Sequence, residues 1–134
     1  LSKLFCNFKD NSVKKKVAKE FLLPQYLYLE NWIKCIAVLR NACAHHARIW
    51  NRRFPTMPIM PNYLPSQWLI TGNFRPNKLY PQLCCLAYLE QSIAANGSFS
   101  KRLLKLIDKS EIVNTRSMGF PQEWKNEPLW IING

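Results

Sequence analysis

The residue types best suited to chemistry in this chain fall in one stretch, Leu39-Arg40-Asn41-Ala42-Cys43-Ala44-His45-His46-Ala47-Arg48-Ile49-Trp50-Asn51-Arg52. Cleaving an RNA phosphodiester without a metal has two requirements. A group must handle the proton of the attacking 2′-hydroxyl or of the leaving 5′-oxygen, and a cation must offset the charge that develops on the phosphate. Histidine meets the first because its pKa lies near neutrality. Arginine meets the second through charge-assisted, often bidentate bonds to phosphate oxygens. Asn41 precedes His45 by one helical turn and Arg48 follows it by three residues. On a helix, Asn41 can therefore orient the imidazole or hold substrate while Arg48 grips phosphate.

The element that must position these groups is a helix predicted from Gln25 to about Trp50. At about 100° per residue, Trp32, Ile36, Leu39, Cys43, His46 and Trp50 fall within roughly 40° of one line, the expected core stripe. Lys34, Asn41, His45, Arg48 and Arg52 cluster nearly opposite, within about 60° of each other. This second face is polar and carries no acid. His46 lies on the apolar stripe, where a packed, hydrogen-bonded histidine is the plainer reading. For His45 the plain alternative is a solvated histidine on a basic face.

Charge supports a polyanionic partner. The net charge is +11, and no Asp or Glu occurs between Glu30 and Glu90 while Lys34, Arg40, Arg48, Arg52, Arg53, Arg75 and Lys78 all lie there. That favours nucleic acid or an anionic surface and disfavours a magnesium nuclease, which needs carboxylates. The cysteines (Cys6, Cys35, Cys43, Cys84 and Cys85) are odd in number and lack Cys-x-x-Cys spacing. They read as reduced thiols of a cytoplasmic protein. Cys43 and His46 alone do not make a zinc site, which needs four ligands. No metal or other cofactor is expected, and no run approaches the ~18 apolar residues of a membrane span.

A chain of 134 residues with 48% hydrophobic content fits one domain with its own core. Residues 1–10 read as the end of a helix. A second helix, capped by Asn11 or Ser12, runs to about Leu23 with Val13, Val17 and Phe21 on its apolar side, and Pro24 breaks the chain. Residues 54–77, with Pro55, Pro58, Pro61, Pro65 and Pro76, form a long irregular connection of a kind that is often functional. Leu79 to about Ala95 is the next helix, with Pro81 in its first turn and Asn96-Gly97 as its stop. Ser98 or Ser100 starts a basic helix with Leu103, Leu104 and Ile107 on its apolar side. The tail from Met118 through Trp124 to Trp130 is aromatic and expected to pack on the bundle. Lys14-Lys15-Lys16 and the Lys101–Lys109 cations read as solvated faces. The fold class is all-α, a helical bundle with one Pro-rich connection.

The phrase RNACAHHARIWNR, with Arg-x4-His at its head, resembles the HEPN superfamily of ribonucleases, and within it the abortive-infection proteins of the AbiD/AbiF type. The likeness includes the KKKVAKEFLL and Trp32 helices and the closing MGFPQEWKNEPLW. It implies an all-α domain that forms a homodimer, a composite RNase site across that dimer, and a role in phage defence. Arg40 and His45 match the invariant pair of the motif, and Asn41 matches the polar residue after the arginine. His46 and Arg48 match the subgroup's extension. Members carry a further N-terminal helical region that is not seen here, so this chain is expected to correspond to the C-terminal portion. On the helical wheel Arg40 lies roughly 140° from His45, so the arginine must reach around the helix or act on a second subunit's motif.

The combined expectation is a metal-independent endoribonuclease or toxin. Its catalytic residues are Arg40, His45 and Asn41, and its substrate is held by Arg48, Arg52, Lys34 and His46. RNA, a second copy of the chain, and an antitoxin or regulatory RNA or protein are the expected partners. The rival reading is a non-catalytic module gripping a regulatory or antitoxin RNA.

Overall fold

The helix that carries the motif begins where Pro24 and Gln25 reset the chain. In the computed structural model, which describes residues 11–44, 52–64, 68–70, 75–93, 98–109 and 115–131, it spans Tyr26–Ala44 (α2). It is preceded by α1, Asn11–Glu20, and followed by α3, Leu79–Ile93, and α4, Phe99–Lys109. Two 3-10 turns close the chain, Trp124–Asn126 and Pro128–Trp130. No strand occurs among the described residues, so the architecture is all-α. The helix end expected in residues 1–10, the motif beyond Ala44 and the Asn96-Gly97 stop lie outside the described residues. No helix of the described residues is long and apolar enough to cross a membrane.

α1 ends earlier than its apolar pattern suggests, at Glu20 instead of Leu23. The Leu23 N–H donates to Ala18 O at 3.1 Å and the Leu22 N–H donates to Lys19 O at 3.0 Å. This pair of bonds is a Schellman closure, and it puts Leu22 in the left-handed region at φ 57°. The buried side of α1 also differs from expectation. Val13 is exposed, whereas Lys14 is buried and its Nζ lies 2.6 Å from Glu30 on α2. An ion pair across the helix–helix contact brings the lysine inside and turns Val13 outward.

On α2 the buried residues are Leu29, Trp32, Cys35, Leu39 and Ala42. The stripe is thus turned toward Cys35 and Ala42. Ile36 is half-buried, and Cys43, expected in the core, is exposed. The Pro-rich connection causes this rotation by lying along the Asn31–Cys35 flank. Asn31 holds it with both ends of its amide: Nδ2 donates to Met57 O at 3.3 Å, and Oδ1 accepts from Ile59 N at 2.6 Å. Trp32 Nε1 donates to Ile59 O at 2.8 Å, Cys35 Sγ to Thr56 O at 3.8 Å, and Gln82 Nε2 of α3 to Thr56 O at 3.0 Å. Side chains therefore satisfy a backbone that has no ladder of its own, and Phe54, Leu64 and Trp68 can be buried beneath it.

α3 is the central element, buried around most of its length, with Cys84 and Cys85 in the core. Its two tyrosines anchor two aromatic clusters. Tyr88 meets Trp32 and Trp68 edge-on at 5.7 and 5.3 Å, and its hydroxyl donates to Phe21 O at 2.9 Å. Tyr80 packs on Phe120 at 4.6 Å and accepts a bond from Trp130 Nε1 at 3.2 Å. Trp124 and Trp130 are buried in that second cluster, so the tail aromatics pack on the bundle. α4 starts after Ser98, whose carbonyl accepts the Arg102 N–H at 2.9 Å. Its Leu103, Leu104 and Ile107 pack against the core as the spacing predicts.

Candidate functional site

α2 delivers the first part of the motif to its own C-terminal end. Arg40 and Asn41 are both exposed in its last turns, and of the final five residues only Ala42 is buried. Lys34 is exposed two turns earlier, and its separation from Asn41 by seven residues puts both on one face. These three sequence-predicted residues therefore stand on the solvent side of the helix. Arg52 lies beyond, half-buried, with its guanidinium 5.7 Å from the centroid of the Phe54 ring. That contact sets the guanidinium over the ring, where its N–H groups remain able to donate to an anion. His45, His46 and Arg48 lie outside the described residues, as does Trp50, so the Arg40-to-His45 relation is not among the described geometry.

Among the described residues the ion pairs leave the cations of this region untouched. The Glu30 carboxylate is engaged by Lys14, one helical stretch away from Arg40. The ion pairs among the described residues are Lys14–Glu30 and Lys125–Asp108, so none of them neutralises Lys34, Arg40 or Arg52. A cation that is solvated and unpaired keeps its donors for a phosphate. The exposed face of α2 can thus hold an anionic backbone beside the sequence Arg40-Asn41.

The cysteines divide by environment. Burial pushes the Cys35 thiol up to about 11 and the Cys84 and Cys85 thiols well above their ordinary value. These three are neutral core groups near pH 7 and have no nucleophilic role. Cys43 is exposed, which removes it from the core stripe. Among the described residues no three His, Cys, Asp or Glu side chains gather as a metal-ligand set.

A second basic feature lies away from α2, where Arg75 and Arg116 line one open cleft of about 780 Å³. Sequence reasoning counted Arg75 only as part of the basic span and did not single out Arg116. The available signal was the Arg116-Ser117-Met118-Gly119 spacing, in which a glycine closes a helical turn three residues after an arginine.

No curated protein and no solved structure matches the chain. Over residues 1–51, which take in α1, α2 and the motif as far as Asn51, the chain is similar to the family described as Abi-like protein.

Proposed function

We propose that the protein is a metal-independent endoribonuclease of an abortive-infection system, in which a cell disables its own RNA in response to phage. The observation that carries this reading is the solvent-exposed Arg40-Asn41 pair at the end of α2, directly ahead of His45 in the segment similar to Abi-like proteins. In the reaction, the 2′-oxygen attacks the adjacent phosphorus and the bond from phosphorus to the 5′-oxygen breaks. The products are a 2′,3′-cyclic phosphate and a 5′-hydroxyl. His45 takes the 2′-hydroxyl proton. In a homodimer the second copy of His45 returns a proton to the leaving oxygen. Arg40 offsets the charge of the phosphorane, and Asn41 holds the imidazole or the scissile phosphate. Arg48, Arg52, Lys34 and His46 hold the flanking strand.

The test is an Arg40→Ala variant compared with wild type for both binding and cleavage of a mixed-sequence RNA in EDTA. Because Arg40 is exposed, the variant keeps its helical circular dichroism. Loss of cleavage by a hundredfold or more with binding reduced less than tenfold is the expected split, since the charge is needed most in the transition state. Equal binding and no cleavage by any form, wild type included, would favour a non-catalytic RNA-binding module.

A further inference from the structure

The closing Met118-Gly119-Phe120-Pro121 phrase builds a site as well as a core contact. Residues 115–120 form one helical turn, closed by the Phe120 N–H on Thr115 O at 3.0 Å and the Gly119 N–H on Arg116 O at 3.1 Å. Gly119 takes φ 84° there. Its missing side chain matters independently of that angle. A Cβ at position 119 would fall 2.5 Å from Lys78 Cβ and 3.8 Å from Arg75 O. The turn therefore lies directly on a second turn, which the Lys78 N–H closes on Arg75 O at 3.3 Å. A bond from the Tyr80 N–H to Met118 O at 3.0 Å fastens the two at the start of α3.

The consequence of that docking is that Arg75 and Arg116, far apart in sequence, line one cleft with Thr115, Phe120 and Gln122. Both arginines are exposed, and no carboxylate is among the described residues that line the cleft. The acids that follow the cleft in sequence have partners of their own: Glu123 accepts from Asn126 Nδ2 at 2.8 Å, and Glu127 accepts from the Ile70 N–H. Two guanidinium groups lining one cleft favour an anion there. The cleft also connects to the motif. The Phe54 N–H donates to Asn77 O at 2.7 Å, which sets Arg52 and the exposed Arg53 beside the Arg75 turn. Arg52, Arg53, Arg75 and Arg116 thus follow one another through backbone contacts that lead from the end of the motif segment to the cleft. A series of cations at successive positions suits a strand of phosphates better than a single anion.

We propose that the Arg75–Arg116 cleft binds the phosphodiester backbone of a single-stranded RNA whose neighbouring part is engaged at α2. The proposal rests on the RNA reading given above and adds to it a second, non-catalytic contact. Thr115 and Gln122 provide neutral donors and acceptors for sugar or base edges, and Gly119 lets the two turns that carry the arginines dock.

The test measures anisotropy of a labelled, unstructured RNA carrying 2′-O-methyl groups, which can bind but cannot undergo 2′-hydroxyl attack. Wild type, Arg75→Ala, Arg116→Ala and the control Lys19→Ala, an exposed lysine outside the cleft, are titrated in EDTA at several salt concentrations. Each cleft variant is expected to weaken binding about five- to tenfold and to lower the slope of log affinity against log salt by about 0.7. Lys19→Ala leaves both nearly unchanged. Cleft variants that bind as Lys19→Ala does would overturn the proposal, as would variants that lose a mononucleotide while keeping the strand. Cleavage of unmodified RNA by the same set separates the two readings. Weakened cleft variants without any cleavage leave the cleft standing and remove the nuclease. Cleavage with undiminished binding removes the cleft alone, and a wild type that binds no RNA removes both.

Discussion

Replacing Gly119 by alanine tests whether the docking of the two turns is as close as described. Two penalties add. An L-residue at φ 84° costs about 1–2 kcal/mol relative to glycine. The new Cβ would stand 2.5 Å from Lys78 Cβ, too close for any real contact, and because Lys78 is itself buried the neighbour has little room to yield. Relief of such overpacking costs roughly 1–3 kcal/mol. Against these stands about 0.4–1 kcal/mol gained because alanine restricts the unfolded chain. The net expectation is a loss of about 2–4 kcal/mol, or on the order of 6–15 °C in Tm for a domain of this size. Urea and thermal unfolding followed by circular dichroism measure it. An alanine variant as stable as wild type would refute the reasoning, because neither the left-handed angle nor the contact with Lys78 could then be as described.

The other structural predictions follow from single contacts. Leu22→Gly relieves the same left-handed strain at the end of α1, where the leucine is 50% exposed, and is expected to gain about 0.5–1 kcal/mol in urea unfolding. Glu30→Ala takes the carboxylate from a buried lysine and is expected to cost about 2–3 kcal/mol, while the double variant Lys14→Met with Glu30→Leu recovers most of that loss. Stability is expected to fall on the alkaline side. Below pH 9 the folded and unfolded chains both keep their thiol protons. As pH rises from 9 through 11 the unfolded chain releases the Cys35 proton first, and Cys35 alone removes about 2–3 kcal/mol. Cys84 and Cys85 act in the same direction, and a pH series of unfolding midpoints that stays flat from 8.5 to 11 (about two pH units above the ordinary thiol range) would contradict this.

Periodicity and punctuation made the helices legible. Pro24, Pro81 and Ser98 each mark a start, and Trp32 and Leu39 are buried as their pattern requires. What stayed hidden depends on partners distant in sequence. Lys14 reads as one of three solvated lysines until Glu30 is seen across the α1–α2 contact. Cys43 reads as core because its wheel position continues the Trp32 line, yet the Pro-rich connection covers the adjacent Asn31–Cys35 flank and leaves Cys43 outside. The connection itself has no period to read, since Asn31, Trp32 and Gln82 hold it one backbone group at a time. For the candidate site, the exposure of Lys34 and Asn41 followed from the wheel, whereas Arg40, which the wheel sets off that face, is exposed as well. The Arg75–Arg116 cleft did not follow from it, because it requires two turns to dock where glycine alone permits contact.

The central claim is that this chain cleaves RNA by 2′-hydroxyl attack through His45. Its most direct test is mass spectrometry of the ends produced when wild type and His45→Ala are incubated with an unmodified RNA in EDTA. The account predicts 2′,3′-cyclic phosphate and 5′-hydroxyl ends from wild type and intact RNA from His45→Ala. Cleavage that survives in His45→Ala, 3′-hydroxyl ends, or activity that appears only when a divalent metal is restored would contradict it.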